Sequence, residues 1–366
     1  MSRLVPAWPL ALLAACSEIS DDATDPDQLG ASESSSDAAT TDAATAGTTA
    51  VTGGPDVPTS TGGATSAGST ASDATTGGVT TDPATTTDDT TGDDTTGDGT
   101  TGDVDLPTPE LPAPTMPCPT LVDGTVEFHP EGLEAPRDVR IWLDPDAAAQ
   151  FDGPVVFYWH GTGGSPQEAL VGLGELGIQE ILDAGGIVVA PTHDPMAGIF
   201  PWYLVLEDKP NDLLLADEVL ACAREQLGVD ARRIYSLGFS AGGLHTAQMS
   251  IRRSSYLAAA VPYSGGLIFG AMPAFEDPAN KFSAMIFHGG GSDVVVVGFE
   301  QASNDYAAYL GANDNFSLVC DHGGGHQIPD VQDSVMQFLS DHPYGTAPSP
   351  YAQGIPDDFP PYCETP

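Results

Sequence analysis

Short continuous runs of apolar residues alternate with segments of helical periodicity from Cys118 to the end of the chain. The spacing of the first two runs, 124–129 and 138–143, predicts an opening hairpin, and the later runs are typical of buried strands. Strands are predicted over 124–129, 138–143, 155–159, 186–190, 234–238, 258–263, 284–288 and 316–320, and helices over 166–184, 211–227, from 240 onward, 302–310 and 331–339. This alternation predicts an α/β fold, with helices on both faces of a mostly parallel, twisted sheet.

A long segment before this region has a different composition. Residues 17–117 contain no Lys, Arg or aromatic residue but hold 19 of the 52 acidic residues. Such a segment buries too little apolar surface to offset the entropy lost on ordering, so we predict a long, disordered, acidic linker over 17–117. Thr-Thr-Gly-Asp recurs every five residues from Thr90. The repeat has no apolar position to stack, which predicts a flexible spacer. The length of residues 118–366 predicts a single α/β domain after it.

The first sixteen residues have the features of an export signal. Arg3 precedes a short apolar run that ends in Leu13-Ala14-Ala15-Cys16, which resembles the bacterial lipobox. The run is too short to span a bilayer, so we predict a signal peptide over 1–16 and a lipid anchor on Cys16 as the only membrane contact. Pro6, Pro9 and the single positive charge depart from the usual pattern. Secretion without lipidation and a misassigned start codon are the alternatives to a cell-surface (outer-membrane) lipoprotein.

Charge and cysteine content narrow the class of protein further. The net charge is −42, and residues 118–366 hold nine basic and 33 acidic residues. Nucleic-acid binding is therefore disfavoured, because phosphate contacts need clustered Lys and Arg. No CxxC or closely spaced His pair indicates zinc, and we predict no metal and no cofactor.

The four remaining cysteines form an even set, which favours two disulfides in an exported domain. Because Cys118 and Cys363 lie at the two ends of the folded region, we predict a Cys118–Cys363 clasp, which leaves Cys222–Cys320 as the second pair. The alternative is that Cys222 and Cys320 are small buried residues without a bond.

The segment Gly238-Phe239-Ser240-Ala241-Gly242-Gly243 lies between a predicted strand and a predicted helix. A G-x-S-x-G sequence in that context is typical of a sharp turn that exposes a nucleophilic serine. Glycines two positions before and after the serine avoid clashes in such a strained turn. We therefore predict Ser240 as a nucleophile and the Ala241 N–H, at the helix amino terminus, as an oxyanion-hole donor. A chance match in a chain with 42 glycines is the alternative.

A serine nucleophile needs a base to accept its proton and an acid to orient that base. With this type of turn, the acid and then the histidine follow the serine along the chain, on loops after later strands. Asp293 follows the strand 284–288 through Gly-Gly-Gly-Ser, and His326 follows the strand 316–320 through a glycine-rich loop. We therefore predict Asp293 as the acid and His326 as the base.

Other side chains compete for these two roles. His322 lies closer to the end of the same strand and is the main rival base. His288 and His245 are interpreted as structural or pocket-lining residues. Asp330 comes too late along the chain to be the acid, and Asp321 lies at the end of the strand that leads to the histidine loop.

The turn His160-Gly161-Thr162-Gly163-Gly164 ends the predicted strand 155–159. A second oxyanion donor is needed beside the nucleophile, and the backbone after the third strand supplies it in this type of fold. We predict the Thr162 N–H as that donor, with His160 holding the loop by hydrogen bonds. A plain tight turn is the alternative, and nucleotide binding is set aside because no GK[ST] follows.

Taken together, these motifs resemble the secreted polyhydroxybutyrate-depolymerase and feruloyl-esterase branch of the α/β-hydrolases. The likeness rests on the Trp159-His160-Gly161-Thr162 loop, the serine turn, the segment from His288 to Val296, and Gly323-Gly324-Gly325-His326 with Pro329. Its departures from the family pattern are an acid loop one residue longer than usual and Thr162 in place of another small residue. The resemblance implies an α/β-hydrolase fold and ester hydrolysis without a cofactor, through a Ser-His-Asp triad and an acyl-enzyme.

The resemblance also implies a substrate class, namely feruloyl or acetyl esters on polysaccharide, or polyester chains. Trp202, Tyr203 and Tyr263 with its neighbour Ser264 are candidates to line the acyl pocket, with a place in the core as the alternative. A non-catalytic surface-binding protein on a hydrolase scaffold and a serine peptidase, which shares the triad, are the competing functions.

Overall fold

The computed structural model describes residues 107–198, 200–204, 209–268, 270 and 272–366. The predicted signal peptide, Cys16 and the repeats that begin at Thr90 lie outside the described residues, as does most of the predicted linker.

Nine described strands form one sheet in the order β1-β2-β4-β3-β5-β6-β7-β8-β9. The strands are β1 (Gly124–Phe128), β2 (Arg137–Leu143), β3 (Gly153–Trp159), β4 (Ile187–Pro191), β5 (Val229–Phe239), β6 (Ala259–Tyr263), β7 (Ser283–His288), β8 (Ser317–Asp321) and β9 (Cys363–Glu364). The six strands from β4 to β8 in this order are parallel, whereas β1, β2 and β9 pair antiparallel at the edges. The predicted mostly parallel sheet and its opening hairpin are confirmed.

Helices cover both faces of the sheet, as the alternating pattern predicted. The described α-helices are α1 (Pro145–Ala148), α2 (Ala169–Gly172), α3 (Gly174–Asp183), α4 (Asn211–Gln226), α5 (Ala241–Arg252), α6 (Phe299–Gly311) and α7 (Gln332–Asp341). Side chains of α4 and α5 pack with Val155, Phe157 and Trp159 of β3, and those of α3 and α7 pack with Val156 and Tyr158. Because both faces of β3 are covered, its sequence is a continuous apolar run without polar alternation.

The packed part of the chain begins before Cys118, where the sequence placed the boundary. Leu111 is buried in the core, and the Thr115 N–H and hydroxyl both donate to the Glu218 carboxylate of α4 at 2.8 and 2.7 Å. We call residues 107–117 the strap. Its sequence did not indicate packing, because it is rich in proline and only a few of its residues face the core. Residues 107–117 therefore belong with the folded region and not with the linker.

The predicted disulfide pairing is wrong, although all four cysteines are bonded. Cys118 pairs with Cys222 of α4, and Cys320 of β8 pairs with Cys363 of β9. Cys118 and Cys363 do not meet, because the segment around Cys118 runs along α4 while the segment around Cys363 adds β9 beside β8. Disulfides of this kind are typical of proteins that fold in an oxidising compartment outside the cytoplasm.

The described residues contain neither a membrane-spanning helix nor a cluster of metal-binding side chains. No helix there is long and apolar enough to cross a membrane. Over the same part of the chain, no group of three or more His, Cys, Asp or Glu side chains is arranged to hold a metal ion.

Candidate active site

Ser240 lies in the sharp turn between β5 and α5, at the carboxyl edge of the parallel strands. Its backbone has φ 57° and ψ −119°, a conformation that costs free energy for a residue with a side chain. A Cβ on Gly242 would lie 1.8 Å from the Trp159 carbonyl oxygen, and one on Gly238 would lie 2.5 Å from the Gly242 carbonyl oxygen. The turn is therefore possible only because these two glycines let three backbone segments touch.

The structure brings the predicted nucleophile, base and acid together. His326 Nε2 lies 2.9 Å from Ser240 Oγ, and His326 Nδ1 lies 2.7 Å from Asp293 Oδ1. The three residues are far apart along the chain but follow β5, β7 and β8, whose carboxyl ends share one edge of the sheet. The arrangement can move a proton from the hydroxyl to the imidazole while the carboxylate holds the ring.

Asp293 is fully buried, and its second oxygen is held by two further donors. Oδ2 accepts from the Ser264 hydroxyl at 2.7 Å and from the Gly289 N–H at 2.9 Å. Burial by itself raises the pKa of Asp293, but hydrogen bonds from His326, the Gly289 N–H and Ser264 outweigh burial and bring the pKa below its usual value. The carboxylate therefore stays ionised and keeps the imidazole oriented.

The His326 ring is held between two aromatic side chains. Its centroid lies 4.7 Å from that of Phe239, the residue before the nucleophile, and 4.6 Å from that of Phe299, the first residue of α6. Stacking on both sides restricts the ring to the plane in which its two nitrogens reach Ser240 and Asp293.

The two predicted oxyanion donors, the Ala241 and Thr162 N–H groups, belong to the turn that holds Ser240 and to a loop that lines the same cleft. The Ala241 N–H begins α5, where the helix has no acceptor for it. The Gly161 carbonyl accepts from His160 Nδ1 at 2.8 Å and from the Gly164 N–H at 2.9 Å. In a planar trans peptide the N–H points opposite to the carbonyl, so the Thr162 N–H points away from these donors, and Thr162 lines the cleft.

The hydrogen bond from His160 to the Gly161 carbonyl also defines the state of the His160 ring. Because a carbonyl only accepts, Nδ1 carries the proton, and Nε2 is buried without a partner among the described residues. Burial lowers the pKa of His160, which favours the neutral ring. The structure thus places His160 under the loop, where the sequence predicted it, and not in contact with Ser240.

Glu168 is a cleft residue that the sequence reasoning missed. Its Oε1 accepts from the Gly161 N–H at 3.0 Å and from the Tyr158 hydroxyl at 3.2 Å. The Trp202 indole N–H donates to the His160 carbonyl at 2.8 Å, so both polar ends of the His160–Gly161 peptide are held. Burial raises the pKa of Glu168 above its ordinary value.

Ser240 and His326 open into a cleft of about 290 Å³. The described residues that line it are mostly apolar: Gly161, Thr162, Glu168, Phe200, Phe239, Ser240, Val295, Val296, Val297, Phe299 and His326.

The other histidines, which compete with His326 for the role of base, do not belong to the hydrogen-bonded path between Ser240 and Asp293. His322 Nδ1 accepts from the Gly324 N–H, and its ring lies beside Tyr362. His288 Nδ1 accepts from the Gly290 N–H. His245 is fully buried against Trp159 with a centroid distance of 4.3 Å, and burial lowers its pKa to about 3.

The rival acids are also apart from the His326 ring. Asp321 is half exposed and accepts from the Gly323 N–H within its own loop. Asp330 is exposed and precedes α7.

The predicted pocket residues Trp202, Tyr203 and Tyr263 do not line the cleft. All three are buried, and their polar ends are bonded inside the protein: Trp202 to the His160 carbonyl, Tyr203 to Asp194 and Tyr263 to the Gly172 carbonyl. Large aromatic residues with one polar group suit such interior positions. Phe200, two residues before Trp202, lies at the cleft instead.

Ser264 and Glu168 had weak sequence signals. Ser264 directly follows β6 at the same sheet edge as Asp293, and a polar residue at the carboxyl end of a parallel strand is a candidate on that ground alone. Glu168 lies seven residues after Gly161, and only the folded loop shows that the two meet.

Comparison with solved structures relates this chain to others of low sequence identity. The structure described as pOPH native is 19% identical and covers 70% of this chain and 97% of its own, with a TM-score of 0.54. The structure described as sOPH native is 17% identical, with coverages of 70% and 97% and a TM-score of 0.50. A ferulic acid esterase matches at 16% identity over 59% of this chain and 94% of its own, with a TM-score of 0.45.

The likeness to the pOPH and sOPH structures, at identities below 25%, establishes the fold alone, and that fold is the α/β-hydrolase fold. No family model matches the chain, and no curated protein matches it.

Proposed function

We propose that this protein is an extracellular serine ester hydrolase that uses Ser240, His326 and Asp293. The observation that carries the proposal is the continuous hydrogen-bonded path from Ser240 Oγ through His326 to the buried carboxylate of Asp293, at 2.9 and 2.7 Å. The strained serine turn and the two N–H groups of Thr162 and Ala241 support it, because both stabilise the charge that an attacking serine creates.

In the first half of the reaction, Ser240 Oγ attacks the ester carbonyl while His326 Nε2 takes the hydroxyl proton. The carbonyl oxygen becomes an oxyanion that accepts hydrogen bonds from the Thr162 and Ala241 N–H groups. The intermediate collapses, the bond to the alcohol oxygen breaks, and His326 gives its proton to the departing alcohol.

In the second half, water replaces the alcohol. His326 takes a proton from water, the hydroxide attacks the acyl-serine, and the acid leaves as Ser240 regains its proton. Asp293 remains ionised throughout and stabilises the imidazolium. No cofactor enters any step.

The predicted location outside the cytoplasm is consistent with this function. The disulfides Cys118–Cys222 and Cys320–Cys363 are consistent with an extracytoplasmic protein. Secretion through the segment 1–16, attachment through Cys16, and membership of the polyhydroxybutyrate-depolymerase and feruloyl-esterase branch belong to the proposal. So does a polysaccharide-linked or polyester substrate.

The test uses the full chain and three substrates: p-nitrophenyl acetate, methyl ferulate and a peptide anilide. We expect hydrolysis of the acetate, with kcat about a millionfold lower in Ser240→Ala because the covalent route is lost. Ser303→Ala, a buried serine outside the cleft, is the matched control and retains activity. Wild-type protein inert on all three substrates would favour a binding protein, and cleavage of the anilide alone would favour a peptidase.

A further inference from the structure

Three consecutive valines project into solvent at the rim of the cleft. Val294, Val295 and Val296 are 58%, 62% and 72% exposed, and they directly follow Asp293. Single exposed apolar residues are ordinary on protein surfaces, but a continuous run beside a cleft marks a binding surface. We call the segment from Asp293 to Phe299 the valine loop.

The valine loop is closed by its own backbone. The Phe299 N–H donates to the Asp293 carbonyl at 2.9 Å, and the Val295 N–H donates to the Val297 carbonyl at 3.2 Å. Val294 also forms an antiparallel bridge with Gly298. Val297 fills the core and is only 8% exposed. With the fourth valine anchored inside, the other three are held outward at a defined place.

The walls next to the valine loop continue its apolar character. Val295 and Val296 line the cleft together with Phe200, Phe239 and Phe299. Among the described residues that line it, only Glu168 and His326 are ionisable. A volume of about 290 Å³ is at the low end for a ligand pocket. An apolar group larger than the cleft therefore continues outward over the exposed valines.

Charge restricts the substrate in the same direction. Residues 118–366 hold nine basic and 33 acidic residues, and the Glu168 carboxyl lies on the cleft wall. Both disfavour a substrate that brings further negative charge to Ser240.

We propose that the valine loop binds the apolar chain of a neutral ester that is longer than the cleft, so that the substrates are aliphatic esters of medium or greater length. The same chemistry occurs in a free long-chain ester and in the repeating unit of an aliphatic polyester. This inference rests on the proposed ester hydrolysis at Ser240.

The first test compares p-nitrophenyl octanoate with p-nitrophenyl acetate. The variant carries Val294→Ser, Val295→Ser and Val296→Ser together, and the control is Val122→Ser, a 48% exposed valine that does not line the cleft. We expect the ratio of kcat/KM for octanoate over acetate to fall by about tenfold or more in the triple variant, because apolar contact area is lost. The ratio stays unchanged in Val122→Ser. An unchanged ratio in the triple variant would overturn the inference.

The second test uses only the wild-type protein, so it still tests the inference if the triple variant fails to fold. Alkylboronic acids of two to eight carbons are measured as inhibitors of acetate hydrolysis by the wild-type full chain. We expect the inhibition constant to fall by about twofold for each added methylene through eight carbons. A constant that stops improving at three or four carbons contradicts a binding surface beyond the cleft.

The two sources of the chain are distinguished by sedimentation with aliphatic polyester particles. Binding of full-length Ser240→Ala that is lost after the three valine substitutions supports a polymer. Octanoate preference without particle binding supports a free ester. Light scattering tests whether a second copy of the chain covers the valine loop. A dimer that dissociates in the triple variant, with an unchanged ratio of kcat/KM for octanoate over acetate, overturns the inference.

Failure of this inference is distinct from failure of the proposed function. If the wild-type protein hydrolyses neither acetate nor octanoate nor the other substrates, the proposed esterase activity is excluded. If it hydrolyses acetate but its activity does not depend on chain length, only the role of the valine loop is excluded.

Discussion

The turn around Ser240 and the valine loop both line the cleft, yet their sequences answer to different constraints. In the turn, backbone packs on backbone: a Cβ on Gly242 would lie 1.8 Å from the Trp159 carbonyl oxygen. In the loop, an added Cβ on Gly298 would meet no atom within 4 Å beyond its chain neighbours, and Val294, Val295 and Val296 are more than half exposed.

The comparison distinguishes residues that the fold requires from residues whose side chains suit a ligand. The glycines of the turn are demanded by the protein's own interior. Three exposed valines gain nothing from the interior, so their apolar surface is explained by a ligand that covers it. Four experiments test this contrast, from the largest expected effect to the smallest.

Gly242→Ala and Gly298→Ala add the same methyl group to the two regions. We expect Gly242→Ala to lose about 3 kcal/mol or more of unfolding free energy, together with ester hydrolysis, because the backbone must separate to admit the methyl group. Gly298→Ala, at the residue before α6, stays within about 1 kcal/mol of wild type. Thermal unfolding and acetate hydrolysis measure both. Similar losses in the two variants would break the comparison.

Ser264→Ala removes a donor to Asp293, the residue at which the valine loop begins. We expect kcat to fall by roughly tenfold to a hundredfold, because a hydrogen bond to a buried carboxylate is lost. The loss also raises the pKa of Asp293, since this bond helps to lower it.

Ser303→Ala is the matched control for this prediction. Ser303 is buried and donates to the Gly265 carbonyl at 2.9 Å, without touching Asp293. We expect it to lose about 1 kcal/mol of stability and no kcat. Equal kcat values for Ser264→Ala and wild type would show that Ser264 does not position the acid.

His245→Leu tests the interior that supports the serine turn. Burial lowers the pKa of His245 from 6.5 to about 3, so below pH 6.5 the unfolded chain binds a proton that the folded chain does not. The contribution of His245 to the free energy of unfolding is therefore fully present above pH 6.5, and it is lost as the pH falls toward 3. Between pH 7.5 and 5, wild type should lose about 2 kcal/mol that His245→Leu retains. Urea unfolding at the two pH values measures this, and parallel losses would contradict it.

Glu168→Gln tests the charge on the cleft wall. The amide oxygen still accepts from the Gly161 N–H, but the negative charge is gone. We expect the ratio of kcat/KM for p-nitrophenyl hemisuccinate over p-nitrophenyl acetate to rise by about fivefold, since like-charge repulsion is removed. Glu168→Ala, which also removes the acceptor, lowers kcat on both esters. No change in the ratio for Glu168→Gln would remove Glu168 as a selector of neutral substrates.

The elements that the sequence predicted correctly are those with local signals. Continuous apolar runs predicted eight of the strands that the structure describes, and β9 (Cys363–Glu364) was missed because two residues are too short for a pattern. The predicted positions of Ser240, Asp293 and His326 follow from one rule about chain order, and the structure brings these side chains together.

The wrong predictions concern long-range pairing and the direction of side chains. The cysteine pairing failed because chain position does not report which segments run side by side. Trp202, Tyr203 and Tyr263 were assigned to the pocket because aromatic residues suit both a core and a binding site, and only packing distinguishes the two.

The sequence alone determined the class of fold and the position of the sharp turn at Ser240, because apolar periodicity and glycine requirements act over a few residues. Only the tertiary structure decided which cysteines bond, that Ser264 holds Asp293, that Glu168 holds the Gly161 N–H, and that three valines remain outside. These outcomes depend on distances between segments far apart in the chain, which are set by how the sheet and its helices pack together.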